Sequence, residues 1–333
     1  MPYQTGTATS STDLVQQLVA WLVSLGWNQD RSAVEGSGWT ASLDLHGNFV
    51  HLRACENESS GVWQSMYGVA GYAIDMYTGT AFNGSNTFGN QPTGAPFASG
   101  TSTPIGVSMH TSAGPFSNYY FFADSTADNI VVIVEVTPGF YVHMGWGLSI
   151  QKVGAITGGA YFFGSSSGYY SNYPYAGANT PGYTSAADCP GCNQDQIGAA
   201  VCFVRADVDS FTGQWIGIYN STGGPQGYTG KMGDSSVRQL NGSMRTYFPV
   251  YAYQAYAYQF QNELVSSLDG RANLLPVLLW ALRDGTTTGY SLLGSIPNVF
   301  STNAVGHGFS NADEYVLGST TYKLFPNFAV VKQ

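Results

Sequence analysis

The strongest constraint on the fold is a pair of adjacent segments in the middle of the chain that have the composition of buried β-strands. Residues 118–123 read NYYFFA, and after the polar turn STADN the run Ile130–Val136 is apolar and largely β-branched, interrupted only by Glu135. A short, continuous apolar run of this kind is typical of a strand that is buried on both faces. Pro138 and Gly139 then predict a type II turn into the returning segment FYVHMGWGLSI, whose glycines suggest that another backbone approaches this strand.

One helix is predicted near the start of the chain. The apolar residues that recur at helical spacing are Leu14, Leu18, Trp21, Leu22 and Leu25. Thr12 is expected to cap this helix, and Asp13 lies favourably in its first turn. Gly26 is expected to end it as the residue just beyond the C-cap. One face of the helix therefore packs inward.

Further strands are predicted on both sides of the central pair. Trp39–Leu45 alternates between apolar and polar residues, Gly47 and Asn48 supply a turn, and FVHLRA reads as the returning strand. Ala199–Ala206 and Gln214–Tyr219 also read as strands. By contrast, residues 61–118 are rich in Gly, Ser, Thr, Asn and Pro and predict long loops joined by short strands.

Residues 157–184 consist almost entirely of Gly, Ser, Tyr, Asn, Pro, Ala, Thr and Phe. Because the segment holds too many aromatic residues for a solvated linker, we interpret it as ordered loops whose tyrosines are buried against neighbours.

The C-terminal part is interpreted as strands. Leu274–Arg283 is apolar but contains Pro276, which disfavours a helix interior and requires an edge or a bulge in a strand. The stretch Tyr256–Ser267 is expected to be helical. The chain then ends in a predicted hairpin with its turn at Gly318-Ser319 and a break at Pro326, which would leave a strand edge for a neighbour's sheet.

Together these patterns predict a mainly β (α+β) protein with an antiparallel β-sandwich-like core, an N-terminal amphipathic helix and long Gly/Tyr-rich loops. We divide the chain into residues 1–164, the helix and sheet core; residues 165–250, a Gly/Tyr-rich insertion of loops and strands; and residues 251–333, a β segment that completes the core.

The charge content is the feature of the composition that bears on function. Only 9% of the residues are charged, whereas an ordinary soluble domain is about 25% charged. The chain also contains 42 glycines, 23 tyrosines and 18 phenylalanines. Tyrosine and tryptophan are enriched where a protein surface meets protein. We therefore expect much of the exterior to be interface, in a part of an assembly rather than a free enzyme.

The charge balance argues against several partners. A net charge of −9 and a pI near 4.8 do not suit a phosphate backbone, so no nucleic acid is expected. The polar start MPYQTGTATSSTD does not resemble a signal peptide, and no apolar run approaches the roughly 20 residues of a membrane helix. We expect a product made in the cytosol, without membrane insertion.

The cysteines do not predict a metal or redox site. Cys189 and Cys192 have the spacing of a metal knuckle or a redox pair, but zinc requires about two more ligands. Cys202 follows ten residues later and Cys55 is distant in sequence. We interpret these residues as buried thiols or an incidental turn, with a metal site, or a bridge formed after release from the cell, as the alternatives.

None of the other motifs identifies catalytic, cofactor-binding or metal-binding residues. The segment STGGPQGYTGKMG resembles a phosphate-binding loop, but Pro225 and Met232 occupy positions that need Gly and Ser or Thr. His143 is interpreted as a histidine satisfied within a sheet, and His307 as a loop residue. No Asp/Glu pair is marked as a glycosidase pair by its setting.

Two stretches resemble virion structural proteins of tailed bacteriophages, the tail, baseplate and neck-associated proteins. They are FSNYYFFADSTADNIVVIVEVTPGFYVHMGWGLSIQKVGAITGGAYFFG (Phe116–Gly164) and the ending LDGRANLLPVLLWALRDG to YKLFPNFAVV (Leu268–Val331). The opening helix followed by GW and then LHGNFVHLR fits the same layout, whereas residues from about 165 to 250 lie outside the resemblance. The resemblance implies a symmetric, non-enzymatic building block of a virion and transfers no catalytic residues.

We therefore expect a homo-oligomeric ring protein of a phage tail or baseplate, which assembles in the host cytoplasm with itself and with other virion proteins. The alternative is a carbohydrate- or receptor-binding module at the tail tip, suggested by aromatic residues beside Asp and Asn loops. A third hypothesis is a hydrolase, which predicts two carboxyl groups within reach of each other in a cleft.

Overall fold

A computed structural model describes residues 1–35, 38–55, 72–92, 107–111, 113–164, 166–167, 201–208, 211–217, 250–252, 274–282, 290–302, 304–305, 308–326 and 328–333. Within these ranges the chain forms one α-helix, a short 3-10 helix (Phe88–Asn90) and twenty β-strands. In chain order the elements are β1 (Tyr3–Ala8), α1 (Ser11–Ser24), β2 (Asn28–Glu35), β3 (Gly38–Leu45), β4 (Asn48–Cys55), β5 (Tyr72–Gly79), β6 (Val107–Thr111), β7 (Phe116–Ala123), β8 (Asn129–Thr137), β9 (Phe140–Gly147), β10 (Gln151–Lys152), β11 (Gly158–Gly164), β12 (Ser166–Ser167), β13 (Val201–Val208), β14 (Phe211–Gly217), β15 (Val250–Ala252), β16 (Leu275–Leu282), β17 (Tyr290–Ser301), β18 (Glu314–Leu317), β19 (Thr320–Phe325) and β20 (Phe328–Val331).

The strands form three antiparallel sheets. The first sheet has the order β1-β7-β8-β9-β11-β13-β14. The second has the order β15-β16-β17-β20-β19-β18, and β10 also pairs with β17. The third has the order β12-β6-β5-β4-β3-β2. The mainly β, antiparallel, sandwich-like architecture with one N-terminal helix is thus confirmed.

The second sheet packs face to face against the first through aromatic rings. The ring of Phe325 lies 5.3 Å from that of Tyr120 and 5.2 Å from that of Tyr141. The ring of Phe328 lies 5.6 Å from that of His143. These contacts join β19 and β20 to β7 and β9, so the two sheets share one aromatic core.

The opposite face of the first sheet is covered by α1 and by the segment that follows it. The ring of Trp21 lies 5.5 Å from that of Phe121, and the ring of Trp27 lies 6.1 Å from that of Trp146. Helix α1 also contacts β4 and β5 of the third sheet. The first sheet is therefore covered on both faces, which is why the apolar side chains of Ile130–Val136 are all buried, as predicted.

The start of α1 differs from the prediction, because Ser10 and not Thr12 is the N-cap. Ser10 has extended dihedrals (φ −160°, ψ 174°), and its hydroxyl accepts a hydrogen bond from the backbone N–H of Asp13 at 3.2 Å. The carboxylate of Asp13 in turn accepts from the backbone N–H of Thr9 at 2.7 Å. This exchange satisfies two backbone donors at the helix start, and several adjacent residues in SSTD can serve as the cap by type alone.

The end of α1 is as predicted. Gly26 has a φ of +100°, and its N–H donates to the carbonyl of Val23 at 3.0 Å. The N–H of Trp27 donates to the carbonyl of Leu22 at 3.1 Å. This pair of bonds is a Schellman motif, which satisfies carbonyls that the helix leaves open.

The turns of the strand hairpins follow the predictions with one shift. Pro138 and Gly139 connect β8 to β9. His46 and Gly47, rather than Gly47 and Asn48, form the turn between β3 and β4, and their φ values of 51° and 83° have the signs of a type I′ turn. That turn type suits the twist of the flanking strands, and it places Asn48 inside β4.

Gly145 in β9 confirms the expected close approach. A Cβ atom at this position would lie 2.6 Å from the carbonyl oxygen of Ile130 and 2.5 Å from the ring of Phe163. Glycine therefore lets the neighbouring strand and an aromatic side chain of β11 lie directly against the backbone.

Other predictions for the strands need correction. Residues 158–164 form β11 and not a loop, because Tyr161, Phe162 and Phe163 are fully buried within the first sheet. The strands β1 and β2 were not predicted, and β5 and β6 are the strands within the stretch expected to be mainly loop. The strand predictions at 199–206 and 214–219 are confirmed with shifted ends as β13 and β14.

The C-terminal predictions hold in part. Leu275–Leu282 is a strand, and a register shift against β17 lies between Pro276 and Leu278, which is the bulge that the proline requires. The hairpin at Gly318-Ser319 joins β18 to β19. The last strand, β20, is not an edge, because it lies between β17 and β19, and the outer strand is β18.

Some predictions fall outside the described residues: the helix at 256–267 and most of the segment 157–184. The division at residues 164 and 250 stays a prediction. Strands from the proposed insertion, β13 and β14, continue the first sheet beside β11.

Candidate functional site

The structure separates the cysteines that it describes. Cys55 ends β4 in the third sheet and is buried, and its thiol lies 3.3 Å from a carboxylate oxygen of Asp75. Cys202 lies in β13 of the first sheet, opposite Phe163. Cys189 and Cys192 lie outside the described residues. Cys55 is not joined in a disulfide, and its thiol contacts a carboxylate of the adjacent strand β5 rather than another cysteine.

Of His143 and His307, only His143 lies among the described residues. His143 lies in β9, fully buried, with its ring 6.1 Å from that of Phe163 and 5.6 Å from that of Phe328. It therefore belongs to the core between the first and second sheets, as its interpretation as a sheet histidine required. His307 and the segment from 221 to 233 lie outside the described residues.

One pair of carboxylates comes together that the sequence did not mark. Asp30, exposed at a register shift in β2, lies close enough to Asp44 in β3 for the two carboxylates to interact electrostatically. Partial desolvation of this carboxylate and the adjacent Asp44 charge raise the pKa of Asp30 to about 6. The pair lies on the edge strand β2 and its neighbour β3 in the third sheet, and the hydrolase hypothesis stays a prediction.

A group of interacting polar side chains lies on one face of the third sheet. Its central members are His51 and Tyr77, which face each other across β4 and β5 with ring centroids 4.9 Å apart. The hydroxyl of Ser42 lies 2.8 Å from Nδ1 of His51. Asp75 and Arg53 occupy the next pair along the same strands. We call this group the polar face.

Residues 80–92 cover the polar face. The hydroxyl of Tyr77 donates to the carbonyl of Phe88, and the Arg53 guanidinium lies 5.7 Å from the centre of the Phe88 ring. The backbone N–H of Phe88 donates to Glu35 at 2.9 Å. The side chain of Gln91 stabilises the loop internally. Its amide donates to the backbone carbonyls of Asn83 and Asn86 at 2.9 and 2.8 Å.

Burial keeps the central groups of the polar face uncharged. It lowers the pKa of His51 to about 3 and raises the pKa of Tyr77. Both side chains are therefore neutral at physiological pH. A buried histidine with so low a pKa is a poor proton carrier near pH 7. The hydrogen bond from Tyr77 to Phe88 instead holds the loop 80–92 on the sheet.

The outer strand of the second sheet presents apolar side chains to solvent. Val316 is 62% exposed and Leu317 is 49% exposed. The single charged residue of β18, Glu314, is held by Lys332 at 2.7 Å and Lys323 at 3.6 Å. The hydrogen bond from Lys332 is the main reason that the pKa of Glu314 is lowered. We call the outer side of Glu314–Leu317 the β18 edge.

Among the described residues, no cluster of three or more His, Cys, Asp or Glu side chains is placed to hold a metal ion. The described part of the chain also contains no helix with the length and apolar character needed to span a membrane.

Comparisons with known proteins do not identify a relative. No protein-family model matches the chain, and no curated protein matches its sequence.

Sequence reasoning missed the polar face, the Asp30–Asp44 pair and the β18 edge. The alternation in FVHLRA places His51 and Arg53 on one face of β4, which was a usable signal for the polar face. The partners Tyr77 and Asp75 come from residues 61–118, where long loops joined by short strands were predicted without bounds, so the pairing could not be assigned. The outer position of β18 depends on sheet order, which local sequence does not specify.

Proposed function

We propose that this chain is a non-enzymatic structural component of a tailed-bacteriophage virion, a ring protein of the tail or baseplate. It acts through interfaces with copies of itself and with other virion proteins, and it assembles in the host cytoplasm into the virion. Its mechanism is mechanical: neighbouring subunits are joined, and force is transmitted through their contacts.

The observation that carries this proposal is the arrangement of the two stretches that resemble virion proteins. Phe116–Gly164 supplies β7 to β11, at the centre of the first sheet. Leu268–Val331 supplies β16 to β20 of the second sheet. These two stretches pack face to face through Phe325 and Phe328, so the resemblance covers one continuous structural unit rather than scattered pieces.

The charge content supports the same proposal. With only 9% charged residues, the chain has little charge to desolvate when surfaces are buried between subunits. The exposed valine and leucine of the β18 edge add an apolar strand at the border of a sheet. Such a border is suited to contact with another chain.

In the described part of the chain, the aromatic residues belong to the core rather than to an exposed interface. There, every aromatic side chain with a described exposure is buried or half-buried. Those rings fill the core of the single chain. The same finding leaves the described residues without an exposed aromatic platform for sugars, and the Gly/Tyr-rich residues 168–200 lie outside them.

Mass spectrometry of purified virions that encode this chain tests the proposal. The chain should be present in many copies per particle, and negative-stain images of the recombinant protein should contain closed rings. Absence of this chain from the purified particles would contradict the proposal. A glycan array is the companion measurement, since saturable binding to a sugar by the recombinant protein would favour the tail-tip binding module instead.

A further inference from the structure

The backbone of β18 leaves hydrogen-bonding groups directed away from the sheet. The N–H of Leu324 in β19 donates to the carbonyl of Asp313 at 2.9 Å, and Leu317 pairs with Thr320 across the two-residue turn. Groups that point toward the partner strand alternate along an antiparallel ladder. The N–H and C=O of Glu314 and Val316 therefore point outward, where β18 ends the strand order of its sheet.

Two other outer strands, β2 and β1, carry features that block pairing. In β2, the register shifts between Gln29 and Arg31, and Arg31 forms an ion pair with Glu35 at 2.6 Å and donates to the loop carbonyl of Asn86. In β1, the register shifts between Gly6 and Ala8. Bulges, charges and covering loops are the usual protection of sheet edges.

The β18 edge has neither a register shift nor a covering loop among its described residues, and its one charged residue is Glu314. Its register with β19 is regular from Glu314 to Leu317. The two residues nearest the turn are apolar and exposed. Glu314 is neutralised by two lysines of its own chain. An exposed, regular edge with apolar side chains is a template for another strand.

We propose that the β18 edge pairs with the β18 edge of a second copy of this chain, antiparallel and about a two-fold axis at Val316. In this register Val316 lies opposite its own equivalent, and Tyr315 lies opposite Leu317. The outward N–H and C=O of Val316 then bond reciprocally, which joins two second sheets into one continuous sheet.

The charges of the edge are compatible with this pairing. Glu314 lies opposite Gly318, not opposite the Glu314 of the other copy, so the register places no like charges face to face. Each Glu314 keeps its bond to Lys332 on its own chain. The inference rests on the self-association contained in the proposed function and adds a two-fold contact, which joins one ring to another rather than neighbours within a ring, because ring neighbours meet head to tail.

Sedimentation analysis of three variants tests this pairing. Val316→Pro removes only an outward N–H, which an edge strand tolerates, and Val316→Lys adds a charge that protects natural edges. Each variant should have an oligomer dissociation constant about tenfold or more above that of the wild type. Val316→Pro loses the two reciprocal hydrogen bonds, and Val316→Lys blocks the approach of the second strand. Val34→Lys is the matched control, since Val34 is 74% exposed on the outer strand β2 and should leave association unchanged.

Hydrogen exchange gives a second readout that needs no variant. In the wild-type chain, the amides of Glu314 and Val316 should exchange more slowly at high than at low protein concentration. An oligomer that both Val316 variants leave intact, with no such protection, overturns the β18 pairing and leaves the proposed function standing. A wild-type chain that stays monomeric at every concentration overturns both.

Discussion

Individual carboxylates in this protein shift in opposite directions according to their neighbours. Asp13 accepts hydrogen bonds from Thr9, which lower its pKa. The pKa of Asp30 is raised to about 6, first by partial desolvation and then by the charge of Asp44. The folded state therefore favours the ionised form of Asp13 and disfavours the ionised form of Asp30.

The pH dependence of stability should reveal the strain at Asp30. A folded-state pKa above the unfolded value of roughly 4 means that the folded state binds more protons between these two values. The contribution of Asp30 is therefore most favourable below pH 4 and is lost as the pH rises to about 6. Asp30→Asn should raise the unfolding midpoint at pH 8 and leave it nearly unchanged at pH 4.

Asp13→Asn is the control with the opposite sign. Because the pKa of Asp13 is lowered in the folded state, its contribution is present at neutral pH and is lost on acidification. This variant should lower the unfolding midpoint at pH 8. Thermal unfolding of both variants at the two pH values is the measurement, and a lower midpoint for Asp30→Asn at pH 8 would contradict the assignment.

Among the elements, helix α1 is held by end contacts that can be tested one at a time. Its N-cap hydroxyl on Ser10 accepts the N–H of Asp13, and its C-terminal Schellman motif centres on Gly26. The buried stripe of α1 is continuous, with Leu14, Leu18 and Leu22 each at most 1% exposed. Packing thus places the helix, and the caps fix its ends.

Loss of the cap should have a measurable cost. Ser10→Ala should reduce the free energy of unfolding by about 1 kcal/mol, because the backbone N–H of Asp13 loses its acceptor. Ser10→Asp retains an acceptor at the same position and should stay within a few tenths of a kcal/mol of wild type. Urea denaturation distinguishes these outcomes, and equal losses in the two variants would show that Ser10 is not the cap.

For the molecule as a whole, stability depends on the aromatic layer between the first and second sheets. Phe325 is fully buried, with rings of β7, β9 and β20 around it. The side chains of Tyr120 and Tyr141 have raised pKa values, that of Tyr120 about 12, chiefly through burial. Both phenols therefore remain neutral within this layer.

Truncation at the centre of this layer should be severe. Phe325→Ala removes a ring that touches both sheets and should cost about 3–5 kcal/mol of unfolding free energy. Val153→Ala is the matched control, because Val153 is 49% exposed, and its cost should be within about 0.5 kcal/mol. Chemical denaturation at low protein concentration measures both, and similar costs would show that the two sheets do not share this core.

Local sequence alone was sufficient for the elements whose signal is contained in a few neighbouring residues. The apolar run Ile130–Val136, the stripe of α1, the stop at Gly26 and the hairpin at Gly318-Ser319 were all predicted correctly. In each case the deciding interactions are short in range: side-chain periodicity, a positive φ, or a turn.

Tertiary structure decided the remainder. Residues 158–164 have the composition of a loop, yet they form β11, because the first sheet offers β9 and β13 as partners and buries Tyr161 to Phe163. The polar face requires β4 and β5 to pair in one register, and the β18 edge exists only because β20 passes between β17 and β19. Pairing between distant strands depends on burial and backbone partners that neighbouring residues do not encode.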